Sequence, residues 1–432
     1  MGKDSSTFCI LPWVHSTHNQ SGNFRLCCQA SQHPLKDTTD SVQWNWGNSS
    51  LSDYWNSKAM KDIRLKLLSG EKLSQCTKCY IDEDAGKPSF RQYQNDMWHN
   101  GEFDELIESS TKDGTVDELP VYFDLKLSNL CNLKCRMCEG TASSEIHKET
   151  LQLQQEFPEE VEKYPKLSTT RVKPGNNSAW VDNPRVWDEL RDRLPYIRRI
   201  EATGGEPTLI QPLHDILHEC VDKGYASNIG LSVITNLTNT KESFTDVIQK
   251  FKSTWLNGST DGVGKVQEYI RFPSKWESIK KNMLKYANLE ETLGTDKFGF
   301  SLICTVQLYN ILYIDEFIIF LLENNMRMNL SYLNQPDFLS TAILPVELRD
   351  IAVSKLENIL KNKYSMEETH FHTYTENVRH IESLIRYLKN NVADDSQILV
   401  NKFLSYTAML DKKRNQSYFD TFPEMEIMKH GT

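Results

Sequence analysis

Three cysteines, Cys131, Cys135 and Cys138, fall within eight residues. Thiolates so spaced can each take a different iron of a cubane, and Glu139 to Thr150 supplies no fourth cysteine. Ferredoxin-type runs provide four cysteine ligands per cubane, so a set of three leaves one iron open to a ligand from outside. The alternatives are unconnected buried thiols or part of a zinc site. Independent thiols rarely crowd so tightly, and zinc ribbons use paired C-x2-C units rather than C-x3-C-x2-C. A second motif is Thr203-Gly204-Gly205-Glu206-Pro207. Glycines permit positive φ and close backbone approach to a ligand, and Glu206 adds an acceptor for a cation such as an ammonium. Alone, such a stretch is usually only a turn.

A further set is spread out: Cys9, twelve residues, Gly22, four residues, Cys27, and later Cys76-Thr-Lys-Cys79. Four thiolates close a metal centre, either a second cubane or a structural zinc site with the same spacings. Cys28 could replace Cys27 in either. His15, His18 and His33 stand near these cysteines, where local hydrogen bonding is a simpler role than ligation. Cys220 and Cys304 sit in apolar helix and strand contexts and read as ordinary buried residues.

The elements that must position these groups follow from periodicity. Between Leu119 and about Leu333 short apolar runs alternate with helical segments. Strands are expected at Val121–Leu127, Arg199–Thr203, Ile229–Thr235, Thr254–Gly258, Gly299–Val306 and Met328–Leu333. Helices are expected at Ser143–Gln155, Asn183–Arg193, Pro212–Lys223, Ser274–Ala287 and Ile314–Asn324. Repeated strand then helix calls for a parallel sheet with helices outside, and six strands are too few for a complete eight-unit barrel. The cysteine loop follows the first strand and the Gly-Gly-Glu motif the second, so both lie at the C-terminal edge where parallel α/β folds place their sites.

Residues 1–100 form a small cysteine-rich segment with five tryptophans, helical periodicity being visible only at Leu51 to Leu68. A metal would stabilise it markedly. Residues 101–118 hold seven acids against one lysine and read as a solvated acidic linker. Residues 119–335 form the alternating region, and 336–432 a helical extension with apolar faces at Leu348 to Leu360 and Val378 to Leu388. Packing against the barrel accounts for those faces more simply than a partner surface.

The chain has 432 residues, 49 Lys and Arg against 59 Asp and Glu, a net charge of −10, and ten cysteines. Acidity argues against an obligate nucleic-acid partner. No apolar run is long enough to span a bilayer and no export signal opens the chain, so no membrane association and a cytoplasmic location are expected. In that reducing compartment the cysteines speak for metal or redox chemistry rather than disulfides.

With these motifs in register, the sequence resembles the radical S-adenosylmethionine enzymes. The resemblance implies a partial (β/α)6 TIM-type barrel in which Cys131, Cys135 and Cys138 hold a [4Fe-4S] cluster whose free iron is chelated by S-adenosylmethionine. It implies that Gly204, Gly205, Glu206 and Pro207 meet the cofactor's amino group. It makes Asn236, Ser259, Asp261 and Arg271 candidates for ribose and carboxylate contacts, and Val306 for packing on adenine. Met137 stands where the family usually has an aromatic residue. Cys9, Gly22, Cys27, Cys76 and Cys79 resemble SPASM and twitch auxiliary domains, implying a second [4Fe-4S] cluster with zinc as the alternative. Here that set precedes the barrel, whereas in most such enzymes it follows.

The implied activity is reductive cleavage of S-adenosylmethionine to a 5′-deoxyadenosyl radical that takes hydrogen from a peptide or protein side chain. The alternative substrate is a small molecule, a sugar or nucleotide, and a different class is a non-catalytic iron–sulfur carrier or sensor. A low-potential electron donor such as flavodoxin or ferredoxin is implied as partner.

Overall fold

The computed structural model describes residues 6–30, 44–164, 180–362, 371–393 and 396–429. Among these residues there are eight strands: β1 His15–His18, β2 Phe24–Arg25, β3 Tyr122–Leu127, β4 Arg199–Gly204, β5 Gly230–Thr235, β6 Ser253–Ser259, β7 Phe298–Val306 and β8 Arg327–Tyr332. Their order in the sheet is β2-β1-β3-β4-β5-β6-β7-β8. The order ends in two edge strands, so the sheet is not closed. An α/β fold of the partial-barrel kind is therefore present, with all six expected strands within two residues of their expected limits. The short strands β1 and β2 add to those six and form the hairpin that the resemblance implies around Gly22.

The chain divides into two compact units. The first comprises Met1–Leu130, Lys173–Val233 and Asp246–Lys252. Here β3 runs parallel to β4, from Tyr122 opposite Arg199 to Leu127 opposite Gly204, and parallel to β1 through His15 opposite Tyr122. Strand alternation turns Phe123, Leu125 and Leu127 inward on one face and leaves Asp124 and Lys126 on the other. In this unit Trp13, Trp46, Trp55 and Trp180 are wholly buried. The expected helix near Leu51 is two helices, Leu51–Trp55 and Lys58–Ser69, because Ser57 caps the second by accepting from the Met60 amide. Helices Thr77–Asp84 and Phe90–Trp98 follow. The acidic stretch carries the helix Asp104–Ser109 and turns Phe103, Ile107 and Val116 inward, so more of it is packed than its charge suggests. Buried Arg64 ties it down, donating to the Gly114 and Pro12 carbonyls at 2.9 Å each.

The second unit comprises Cys131–Val172, Ile234–Thr245 and Ser253–Thr432. Strands β6, β7 and β8 are parallel, with Ser259 opposite Ile303 and Val306 opposite Tyr332. Helix Trp276–Leu293 outruns its expected end at Ala287 because no breaker intervenes before Gly294, which leaves the helix at φ +80°. The extension forms helices Val346–Lys361, Phe371–Asn390 and Ser396–Arg414. Among the described residues no helix is long and apolar enough to cross a membrane.

Candidate metal and cofactor sites

The loop Cys131–Cys138 leads into helix Ser144–Glu156, whose cap organises it. Ser143 accepts from the Ile146 amide at 3.2 Å and donates to the Leu133 carbonyl at 2.7 Å. Ser144 bonds both the amide and the carbonyl of Cys131 at 3.2 Å. On the opposite side, the Lys134 and Arg136 amides donate to the Phe272 and Ile270 carbonyls at 2.6 and 2.9 Å. The Cys138 amide turns back to the Cys135 carbonyl at 3.0 Å. Cys135 is buried and Cys131 and Cys138 are half-buried. Burial pushes the Cys135 thiol up to about 12; Arg271 opposes this, while Cys138 and Cys131 add to it. The three sulfurs thus sit within electrostatic reach of one another.

Two N–H donors face these sulfurs. Arg271 Nη1 lies 3.9 Å from Cys135 Sγ, and Asn236 Nδ2 lies 3.8 Å from Cys131 Sγ. Arg271 Nε also sits 2.7 Å from Asp261 Oδ2, and Asp261 Oδ1 accepts from the Thr305 amide at 2.8 Å. Burial raises Asp261, with Arg271 acting against it; burial lowers Arg271, but the Asp261 and Cys135 charges and the hydrogen bond to Asp261 together raise it. Asn236 is pinned by Thr238, whose amide and hydroxyl both bond its Oδ1, and also donates to Asn132 Oδ1 at 2.9 Å. Its neighbour Leu237 is held at φ +63°, its carbonyl receiving the Asn282 amide group at 2.7 Å. Such a backbone is costly for leucine and marks a loop whose shape the surroundings impose. Of the sequence candidates, Asn236 therefore joins Cys131, and Arg271 with Asp261 joins Cys135, on the same loop. Ser259 and Val306 lie at the carboxyl ends of β6 and β7, half-buried and buried respectively.

In the first unit the Gly-Gly-Glu motif closes on its own backbone. Gly204 has φ +130°, and a Cβ there would lie 2.2 Å from the Leu127 carbonyl oxygen. A Cβ on Gly205 would lie 2.2 Å from that of Leu130. The Gly205 and Glu206 amides donate to Ser128 and Leu130 at 3.1 and 2.7 Å, carrying the β3–β4 pairing beyond the strands. Glu206 is buried and caps the short helix Pro207–Leu209, its Oε1 accepting from the Thr208 amide and hydroxyl at 3.2 and 2.6 Å. The close approach inferred from these glycines is thus made to the chain itself.

Cys9, Cys27, Cys76 and Cys79 line one pocket, partly open to solvent and otherwise lined chiefly by apolar side chains such as Leu11, Leu26, Leu67 and Phe90, with Gln29 and Arg91. Burial raises Cys9 well above the ordinary thiol range, and Cys27, Cys76 and Cys79 raise it further. Burial likewise pushes Cys76 up to about 12, with Cys27 and Cys79 adding to it. Cys28 does not line this pocket; after burial, its thiol is raised chiefly by Asp124. Gly22 turns the β1–β2 hairpin at φ +81°, its α-carbon facing the Trp180 ring. His15 and His18 are held down to about 3 and 4 by burial, so both are neutral, and His18 Nδ1 is 2.9 Å from the Asn19 carbonyl. His33 lies outside the described residues. Among the described residues no three His, Cys, Asp or Glu side chains converge on one ion. A cubane asks for less, since each thiolate takes its own iron. Mutually interacting thiols around a pocket suit such a group.

No family model and no curated protein matches the chain. Among solved structures it is similar to native anSMEcpe with bound AdoMet, at 16% identity over 55% of this chain and 61% of that one, TM-score 0.35. It is similar to Streptococcus suis SuiB at 14% identity over 71% and 63%, TM-score 0.36. For SuiB bound to its precursor peptide SuiA the values are 14%, 70% and 64%, TM-score 0.35. The chain thus spans less than two thirds of each of these proteins. Likeness at this level does not extend to function, which the residues of this chain must carry.

Proposed function

We propose that this chain is a radical S-adenosylmethionine enzyme with a second iron–sulfur centre in its amino-terminal segment. One observation carries the reading: three thiols in a single eight-residue loop at a strand's carboxyl end, with N–H donors from Asn236 and Arg271 on two of their sulfurs. Four thiolates would close a cubane, whereas this loop contributes only three and leaves a place for the cofactor. Supplied with an electron, a cluster bound there would cleave S-adenosylmethionine, and the resulting 5′-deoxyadenosyl radical would take a hydrogen atom from substrate.

The protein's own residues hold and orient. Cys131, Cys135 and Cys138 are the ligands. Asp261 and Arg271 spend their polar groups on each other, on Thr305 and on Cys135, which suits support of Cys135. Gly204 to Pro207, Asn236, Ser259 and Val306 are the proposed cofactor contacts. Cys9, Cys27, Cys76 and Cys79 are assigned to the auxiliary cluster, with zinc as the alternative. The substrate class is a peptide or protein side chain, as the resemblance to auxiliary-cluster domains implies. A flavodoxin or ferredoxin would supply the electron.

Metal analysis and cofactor turnover test this together. Protein purified without oxygen should hold about eight irons per chain for two cubanes. It should release 5′-deoxyadenosine from S-adenosylmethionine once reduced, and Cys135→Ala should not. Undiminished release by that variant rules the assigned cluster out, while about four irons and one zinc would replace the auxiliary cluster by a structural zinc site.

A further inference from the structure

The cysteine loop is also gripped from the far end of the chain. Arg136 follows Cys135 and is buried. Its guanidinium donates to Asp411 and, at 3.0 Å, to Gln416; its Nε donates to the Tyr269 carbonyl at 3.2 Å. It lies 3.6 Å over the Tyr269 ring, whose hydroxyl donates to Asp411 at 2.7 Å. The Arg136 carbonyl accepts from Tyr406 at 3.0 Å. Tyr406 and Asp411 belong to helix Ser396–Arg414, and Gln416 follows it. The same helix reaches the other flank of the loop. Buried Arg414 makes a two-armed pair with buried Glu149, at 3.1 and 2.6 Å, and Lys134 of the loop stands 3.7 Å from that carboxylate.

Buried ion pairs are poor stabilisers beside apolar residues of equal volume, though breaking one by removing a single partner is expensive. Two pairs, one buried throughout and one buried but for a half-buried Asp411, join one helix to one short loop and its following helix and therefore mark a conformation being specified. We propose, on the functional reading above, that Arg136 is a positioning residue of the iron-binding loop and that helix Ser396–Arg414 is part of the metal site. Asp411 and Gln416 fix the guanidinium, and Arg136 in turn fixes the backbone between Cys135 and Cys138. The carboxyl-terminal extension thereby sets how firmly the loop holds its cluster.

The full chain tests this as Arg136→Met, Asp411→Leu and the double variant, each reconstituted with iron and sulfide without oxygen. Thermal unfolding reports stability. Alkylation of Cys131, Cys135 and Cys138 during challenge with an iron chelator, resolved by mass spectrometry, reads this site apart from the amino-terminal thiols. Each single variant should lose stability and the double variant should regain it. The double variant should nevertheless expose its loop thiols about tenfold or more faster than the wild type, as loss of groups behind metal ligands does. Protection equal to the wild type's, at equal stability, overturns the proposal. If the double variant stays unstable, Arg136→Lys keeps the charge opposite Asp411 but loses the fork and the stacking. Faster exposure there supports the proposal and unchanged exposure overturns it. Wild-type loop thiols that reconstitution leaves unprotected would instead sink the cluster assignment itself.

Discussion

Cys131, Cys135 and Cys138 lie on one short loop where an arginine and an asparagine donate to two of the sulfurs, whereas Cys9, Cys27, Cys76 and Cys79 come from separate segments around a pocket whose other lining is chiefly apolar, with Gln29 and Arg91 at it. The first arrangement puts polar groups where charge on a cluster would change. Hydrogen bonds to sulfur and solvent exposure are the means by which a protein sets such a potential. The second surrounds four thiols chiefly with apolar bulk in a tryptophan-rich unit, where a metal's main contribution would be to folding. One region is arranged for chemistry and the other for closure. The difference predicts that equivalent lesions in the two regions have unlike consequences.

The largest effect expected is the contrast between Cys135→Ala and Cys76→Ala. The former should abolish 5′-deoxyadenosine formation while the amino-terminal metal stays bound. The latter should cost the first unit its metal and several kcal/mol of stability, on the order of what losing a structural metal costs a small domain, while cofactor cleavage persists. Metal content and cleavage measured on both variants decide it. Cleavage lost equally in the two would mean that the pocket takes part in electron supply, and the comparison would break.

Glycines sharpen the contrast next. Gly204→Ala places a Cβ against a carbonyl of the paired strand at a φ that only glycine adopts readily, with no flexible atom able to give way. A loss of about 3 kcal/mol or more should follow. At Gly22 the obstacle is the Trp180 side chain, at 2.7 Å, and φ is +81°. The atoms met are the near end of the buried Trp180 side chain, so the left-handed backbone strain, about 1–2 kcal/mol, is the least to be expected there. Denaturant unfolding of both variants gives the ratio, and equal losses would show that the Gly204 strand end yields more easily than its geometry indicates.

How much of this was legible beforehand differs between the same regions. The loop was readable because its ligands lie within eight residues and follow a mostly apolar strand. Arg271 and Asp261 were legible as residues in register after β6, but not their attachment to Cys135, which depends on segment 270–272 lying along 134–136. Arg136 gave no signal at all, because its partner Asp411 is 275 residues away. In the amino-terminal region Gly22 and the cysteines were found by spacing. The choice between Cys27 and Cys28 was not, since adjacent residues differ only in which way the folded chain turns them. The helix Phe90–Trp98 carries a readable start, Ser89 with Gln92 as a capping box, that its mixed polarity hid.

A smaller effect concerns the donors on sulfur. Asn236→Ala removes the amide facing Cys131 and leaves the other ligand contacts in place. An N–H donor favours the more negative, reduced cluster, so its loss should lower the midpoint potential by tens of millivolts, within the range that hydrogen bonding controls. Redox titration followed by electron paramagnetic resonance measures it. The auxiliary centre should not move, and a shift there instead would assign the donor to the wrong site.

The mildest lever is acid, and it should act on the amino-terminal unit first. His15 and His18 are kept neutral by burial, down to about 3 and 4 from the ordinary 6.5. Between pH 6.5 and about 4 the unfolded chain binds a proton at each that the folded chain does not, so stability falls as pH falls. Asp124 works the other way. Burial holds it up at about 6 from 3.8, so over that interval the folded state binds the proton and gains on acidification. Two histidines against one carboxyl leave a net of one proton, about 1.4 kcal/mol lost per pH unit through the middle of the window. In the second unit His380 is also lowered by burial, but it is only partly shielded. Hydrogen exchange followed segment by segment should therefore show β1 and β3 losing protection ahead of β7 as pH drops from 6.5 to 4. Asp124→Asn, which removes the opposing carboxyl, should steepen the loss towards two protons' worth. Earlier opening of β7 would mean that the two regions differ in chemistry but not in their dependence on buried neutral histidine.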